Sequence, residues 1–76
     1  MNKERRKRLS EIIDQLTEIN SSLDELANEE QEAFDNMPES LQDSERGDFM
    51  SQVTDTLSEA CSDVESIIDD LETCLE

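Results

Sequence analysis

The side chains able to do chemistry in this chain are almost all carboxylates. There are 22 Asp and Glu against 6 Lys and Arg, with no His, Tyr or Trp and only two Cys. Carboxylates can serve as general acid and base, as metal ligands, or as fixed negative charge. The first use needs a pocket that separates the acidity of two partners, and acids repeated along solvated helix faces have none. No Ser or Cys has a neighbouring base to activate it, so no catalytic residue and no cofactor are expected.

Metal binding is tested best at QDSERGDF, residues 42–49, where acids are densest around a glycine. A calcium loop of the EF-hand type needs oxygen ligands at its first, third and fifth positions and glycine at the sixth. Counting from Asp43 puts Glu45 third but Gly47 fifth, so the pattern fails. Soft metals want His or closely spaced Cys; Cys61 and Cys74 stand 13 residues apart. On one helix that is roughly 20 Å at 1.5 Å per residue, too far for a disulfide. They read as reduced thiols on a helical seam, and no metal site is expected.

The elements that carry these groups follow from apolar spacing. Leu9, Ile12, Leu16, Ile19, Leu23, Leu26 and Ala33 advance by alternating steps of three and four, broken once at Glu30. Met50, Val53, Leu57, Ala60, Val64, Ile67, Leu71 and Cys74 do the same. This is the a/d repeat of a coiled coil. The chain therefore reads as all-α: a single domain over residues 1–76, with helix 1 at about 3–35, a connection at 36–44 holding a short helical turn, and helix 2 at about 45–75.

The connection contains the only proline, Pro38, and the only glycine, Gly47, follows nine residues later, just inside helix 2. Asn36, Pro38 and Glu39 have the form of a helix start, and Asp43 or Ser44 offers a second one. Phe34, Met37 and Leu41 are expected to pack together over the hairpin end. One continuous helix from Pro38 is the alternative. Two antiparallel registers fit the heptads. Leu9 pairs with Val64, Leu16 with Leu57 and Leu23 with Met50, or each slides by one heptad to give Leu9 with Leu71, Leu16 with Val64 and Leu23 with Leu57. The second covers Ile67, Leu71 and Cys74 and is preferred.

A further apolar set, Ile13, Cys61, Ile68 and Leu75, falls at the e positions beside the seam. Two helices burying only a and d would leave it wet, which predicts that an antiparallel helical hairpin dimerises into a four-helix bundle through these residues. So short a chain has little core of its own, and oligomerisation is a usual remedy.

Charge is polarised. Lys3, Arg5, Arg6, Lys7 and Arg8 supply five of the six bases; without them and Glu4, residues 9–76 carry 21 acids against Arg46 alone, a net charge of -20. Laid antiparallel, the basic start meets the acidic end at Asp69, Asp70, Glu72 and Glu76, each group relieving a helix dipole that its own helix leaves unfavourable. The body repels phosphate, so direct nucleic-acid and membrane binding are not expected. The arm RRKR is the exception, and it reads first as a solvated helix start. An ordinary solvated face would intersperse lysines to relieve repulsion at i and i+4; this one does not. Carboxylates about 5–6 Å apart on a helix are spaced much as phosphates are. The negative field then reads as a mimic of DNA for a partner with a basic groove, with Glu29, Glu30, Glu32, Asp35, Glu39, Asp43, Glu45 and Asp48 near the tip as contacts. The alternative is an assembly module whose acids only keep it soluble.

At EEQEAFDNMPESLQDSERG, residues 29–47, and in the start MNKERRKR, the sequence resembles small acidic two-helix proteins of bacteriophages and mobile elements, mostly without assigned function. In composition it is also similar to phage-encoded inhibitors of host nucleases and CRISPR complexes, some of which mimic DNA. The resemblance implies a bacterial host and an intracellular setting; it carries no residue roles. No apolar run approaches the length of a membrane span or a signal peptide, so a cytoplasmic setting is expected. The expected partners are thus a second copy of the chain and a host protein with a basic surface.

Overall fold

The computed structural model describes residues 1–76. It holds three helices and no strand: α1, Lys3–Asp35, α2, Glu39–Gln42, and α3, Glu45–Thr73. Asn2 caps α1 by accepting a hydrogen bond from the Arg5 N–H on its side-chain oxygen at 2.8 Å. Ser44 caps α3, its hydroxyl accepting from the Gly47 N–H at 3.3 Å. Each satisfies one backbone donor that a helix start leaves free.

The turn differs from the expected one in two details. Asn36 ends α1 instead of starting the next segment: it keeps right-handed helical angles and its N–H donates to the Glu32 carbonyl at 3.0 Å. Pro38 stands at the head of α2 with no side-chain cap. Leu41, expected inside the tip, is 47% exposed. Its place is taken by Gln42, whose Nε2 donates to the carbonyls of Phe34 at 3.1 Å and Met37 at 3.0 Å. One carbonyl at the end of α1 and one in the connection are thereby bound by a side chain of α2.

Beyond the turn, α3 runs back along α1. The Arg6 guanidinium donates to the Leu75 carbonyl at the far end, and Asn20, Ser21 and Asp24 share a groove with Cys61 and Glu65 midway. These levels agree with Leu9 opposite Leu71, Leu16 opposite Val64 and Leu23 opposite Leu57. The tighter register would set Arg6 near Ile67, some 12 Å from Leu75 at the helical rise. The result is a rod of 58 × 15 × 14 Å.

Which residues face inward departs from the a/d reading. The buried side chains are Ile13 and Ala27 of α1 and Thr54 and Ile68 of α3, with Gly47 at the tip. Together with the half-buried Leu9, Leu16, Asn20, Leu23, Glu30 and Phe34 they continue a regular spacing of four and three along α1. On α3 the matching set is Gly47, Met50, Thr54, Leu57, Cys61, Val64, Ile68, Leu71 and Leu75. Ile13, Cys61, Ile68 and Leu75, expected outside as dimer contacts, therefore lie within the hairpin's own seam. Ile12, Ile19, Leu26 and Ile67, expected inside, are 48%, 60%, 46% and 49% exposed. Relative to the a/d reading, each helix is rolled about its axis by roughly 50°, half of the 100° that separates the two competing rows.

Gly47 shows why. A Cβ on it would overlap the carbonyl oxygens of Leu41 and Gln42, so the first turn of α3 presses directly on α2. Gly47 belongs to the same row as Thr54, Cys61 and Ile68, and Phe34, held by Gln42, to the row of Ala27, Asn20 and Ile13. The tip thus turns those two rows toward each other. Gly47→Ala gains up to about 1 kcal/mol of helix propensity but must displace backbone atoms, which overpacking data put at about 1–3 kcal/mol. Urea denaturation should find the variant less stable by roughly 1–2 kcal/mol. A stabilised variant would show that the contact with α2 is not held in solution.

Candidate interaction surfaces

The roll gives the rod two unlike long faces. Around each helix, the row of Ile12, Ile19 and Leu26 lies about 60° to one side of the Leu9, Leu16 and Leu23 row, and Thr17 and Asp24 lie about 100° to the other. An antiparallel neighbour reverses both direction and facing, so equivalent rows of α1 and α3 come to the same side. Ile12, Ile19 and Leu26 therefore share a face with Val53, Ala60 and Ile67. Beside them Phe49, 65% exposed, borders a shallow hollow of about 230 Å³ with Gln52, Val53, Thr56 and Leu57.

The opposite face is a polar groove of about 480 Å³ between the helices. Thr17, Asn20, Ser21 and Asp24 line it from α1, and Cys61, Glu65, Ile68, Asp69 and Glu72 from α3. Thr17 is turned back, its hydroxyl donating to the Ile13 carbonyl at 2.9 Å. Asn20 takes a seam position between Leu16 and Leu23, and its Oδ1 is buried with no hydrogen-bond donor. That is costly for stability, but a polar residue in an apolar seam disfavours other registers.

Cys61 sits at the same level. Burial first, then the carboxylates of Asp24 and Glu65, push its thiol above its ordinary value of 9.0. The protonated form is a poor nucleophile, so the environment suppresses thiol chemistry here. Cys74, at the end of α3, is exposed, and both are free thiols.

Of the eight tip acids, Glu29, Glu32, Asp35, Glu39, Asp43, Glu45 and Asp48 are exposed, while Glu30 is half-buried in the seam row. Asp35 accepts from the Gln31 Nε2 at 2.9 Å. No three acids or thiols of the chain come together in a way that could hold a metal ion. The groove acids Asp24, Glu65, Asp69 and Glu72 were not assembled by sequence reasoning. The available signal was Asn20: counted with Ile13, Ala27 and Phe34 it completes a second series as regular as the first.

No helix is long and apolar enough to cross a membrane. Neither protein-family models, curated proteins nor solved structures yield a match to this chain.

Two outcomes test this geometry. Mass spectrometry after brief alkylation near pH 8 should find Cys74 modified well before Cys61; equal rates would mean that the hairpin does not shield Cys61. Because the folded thiol has the higher pKa, its stabilising contribution is complete below the unfolded value and is lost as pH rises through the folded one. Stability should therefore fall in the alkaline range above about pH 9, and Cys61→Ala should flatten that fall. Separately, Asn20→Leu removes an orphaned acceptor and should raise stability by about 1–3 kcal/mol in thermal or urea unfolding. A loss would mean that Oδ1 has a partner in solution.

Proposed function

We propose that this chain is a non-enzymatic binding protein that engages a basic, nucleic-acid-binding surface of another protein, its carboxylates standing where phosphates would. The observation that supports this is the continuity of acid over the surface. The exposed tip acids from Glu29 to Asp48 have one base among them, Arg46, and the groove acids Asp24, Glu65, Asp69 and Glu72 continue the negative charge toward the end where the five bases of the chain start lie. Self-repulsion on that scale lowers stability, and a partner groove lined with Lys and Arg would recover it. The setting that fits is a bacterial cytoplasm, with a host nuclease or defence complex as target. In its working form the hairpin associates with itself into a four-helix bundle.

A second reading is favoured by the apolar face: an assembly module whose acids keep an otherwise sticky rod soluble. Outward acids then tolerate reversal. Leu16 and Leu57 matter under both readings, because they hold the hairpin itself.

The readings separate on surface variants. Capture from a bacterial lysate should return a nucleic-acid-binding protein, released by duplex DNA and by salt of about 0.5 M, where screening leaves only contacts within a few ångström. Reversal of Glu32, Asp35, Glu39 and Asp43 to Lys should weaken capture by at least about ten-fold, or 1.4 kcal/mol, with unchanged helicity by circular dichroism. Capture indifferent to salt and to reversal would overturn the mimic mechanism and leave the assembly reading.

A further inference from the structure

The molecule is poorly buried for its size. Its accessible surface is 5886 Å², whereas a compact globular chain of 8.7 kDa exposes about 4,700 Å². Its radius of gyration is 17.3 Å, against about 11 Å for a compact chain of this length. No large side chain is fully buried. The deficit is concentrated on one side, where Ile12, Ile19, Leu26, Ile67 and Phe49 are each 46–65% exposed and occupy the middle of the rod over roughly 27 Å at the helical rise.

From this we infer that the apolar face is covered by a second copy of the same chain lying antiparallel, with the two-fold axis passing at the level of Ile19 and Ala60. The inference rests on the four-helix association proposed above and names its face and orientation. Three observations carry it.

The first is area. A whole face of a rod 58 Å long and 15 Å wide is about 870 Å², close to the roughly 800 Å² that each partner contributes to a standard-size interface, with the apolar side chains in its middle half and the charged ends as its rim.

The second is self-complementarity. In the register of α1 on α3, Ile67 lies level with Ile12, Ala60 with Ile19 and Val53 with Leu26. A two-fold at the middle layer brings the Ile12 and Ile67 layer of one copy onto the Leu26 and Val53 layer of the other. The small Ala60 leaves room at the axis for Ile19 and its symmetry mate. The same residue row then meets itself, as an isologous interface requires.

The third is charge. Two-fold packing through one face permits either tips together or tips apart. Tips together would place two sets of acids, from Glu29 to Asp48, beside each other. Tips apart sets each acidic tip against the mate's other end, where Lys3, Arg5, Arg6, Lys7 and Arg8 offset Asp69, Asp70, Glu72 and Glu76, so avoiding the meeting of two acid sets selects the antiparallel arrangement. Both polar grooves then face outward, on opposite sides of the bundle.

The test uses the full chain and needs no partner. Analytical ultracentrifugation at micromolar concentration should give twice the 8.7 kDa chain mass. Ile19→Glu adds no cost to a side chain already 60% exposed in the single hairpin; it should weaken the dimer by at least about a hundred-fold while helicity at high dilution is kept. Should that variant lose helicity, Ile19→Cys with Cys61→Ala and Cys74→Ser decides instead: mild oxidation should link two chains through position 19. In the same cysteine-free background, spin labels at Ser40→Cys should lie apart by a distance near the 58 Å rod length. A monomer at a hundred micromolar, a dimer indifferent to Ile19→Glu, failure of position 19 to cross-link, or tip labels close together would each overturn the inference. A monomer that still captures a basic partner would sink this inference together with the four-helix association it rests on and leave the binding function standing, and a dimer that captures nothing would sink only the binding function.

Discussion

Each long helix carries three apolar or near-apolar rows, and a pair of helices has room between them for two. On α1 these rows begin at Leu9, Ile12 and Ile13; on α3 they contain Leu57, Ala60 and Cys61. One row per helix must stay outside the hairpin whichever way the helices are turned. Almost everything else about the molecule follows from which row that is: the position of Asn20, the protection of Cys61, the acidic groove and the exposed isoleucines.

Hydrophobicity by itself would leave the other row outside. Ile12, Ile19 and Leu26 are larger and more apolar than Ile13, Asn20 and Ala27, and burying them would remove more surface from water. The hairpin instead closes over small and polar side chains, Ala27, Thr54, Cys61 and Asn20. Thr54 makes this tolerable by donating its hydroxyl to the Met50 carbonyl at 3.0 Å, and small residues let the two backbones lie close. The tip supplies the remaining preference, because Gly47 can press on the Leu41 and Gln42 carbonyls of α2 only when its row faces inward. A short connection held by Gln42 and Ser44 thus sets the roll of helices far longer than itself. The apolar surplus left outside is what a bundle partner would cover.

The same roll sorts the charge. With the apolar rows on one side, carboxylates fill the opposite groove and the tip, and the bases stay at the end where α1 begins and α3 finishes. Arg6 meets there the Leu75 carbonyl, not a carboxylate. The orphaned end of α3 is therefore capped by a cation, which complements the helix dipole at that position. Acid on one long face and one end, with apolar surface on the other long face, leaves the rod with two surfaces of opposite chemical character.

The helical class, the break at residues 36–44 and the charge poles were legible in the sequence because each rests on local chemistry: three-and-four spacing, a proline and glycine in a run with no others, and counts of side chains. The preferred register was legible too, since only one slide of the heptads covers the end of α3. The choice of inward row was not. Rows 12, 19, 26 and 13, 20, 27 both make a regular repeat with Leu9, Leu16 and Leu23, and a period near 3.5 residues cannot separate two seams that differ only by rotation about the helix axis. That rotation was decided where Gly47 meets the carbonyls of Leu41 and Gln42, a contact between elements that no spacing within either helix encodes. The sequence by itself determined two amphipathic helices and their charge; only the tertiary structure decided which of their apolar rows became core and which became surface.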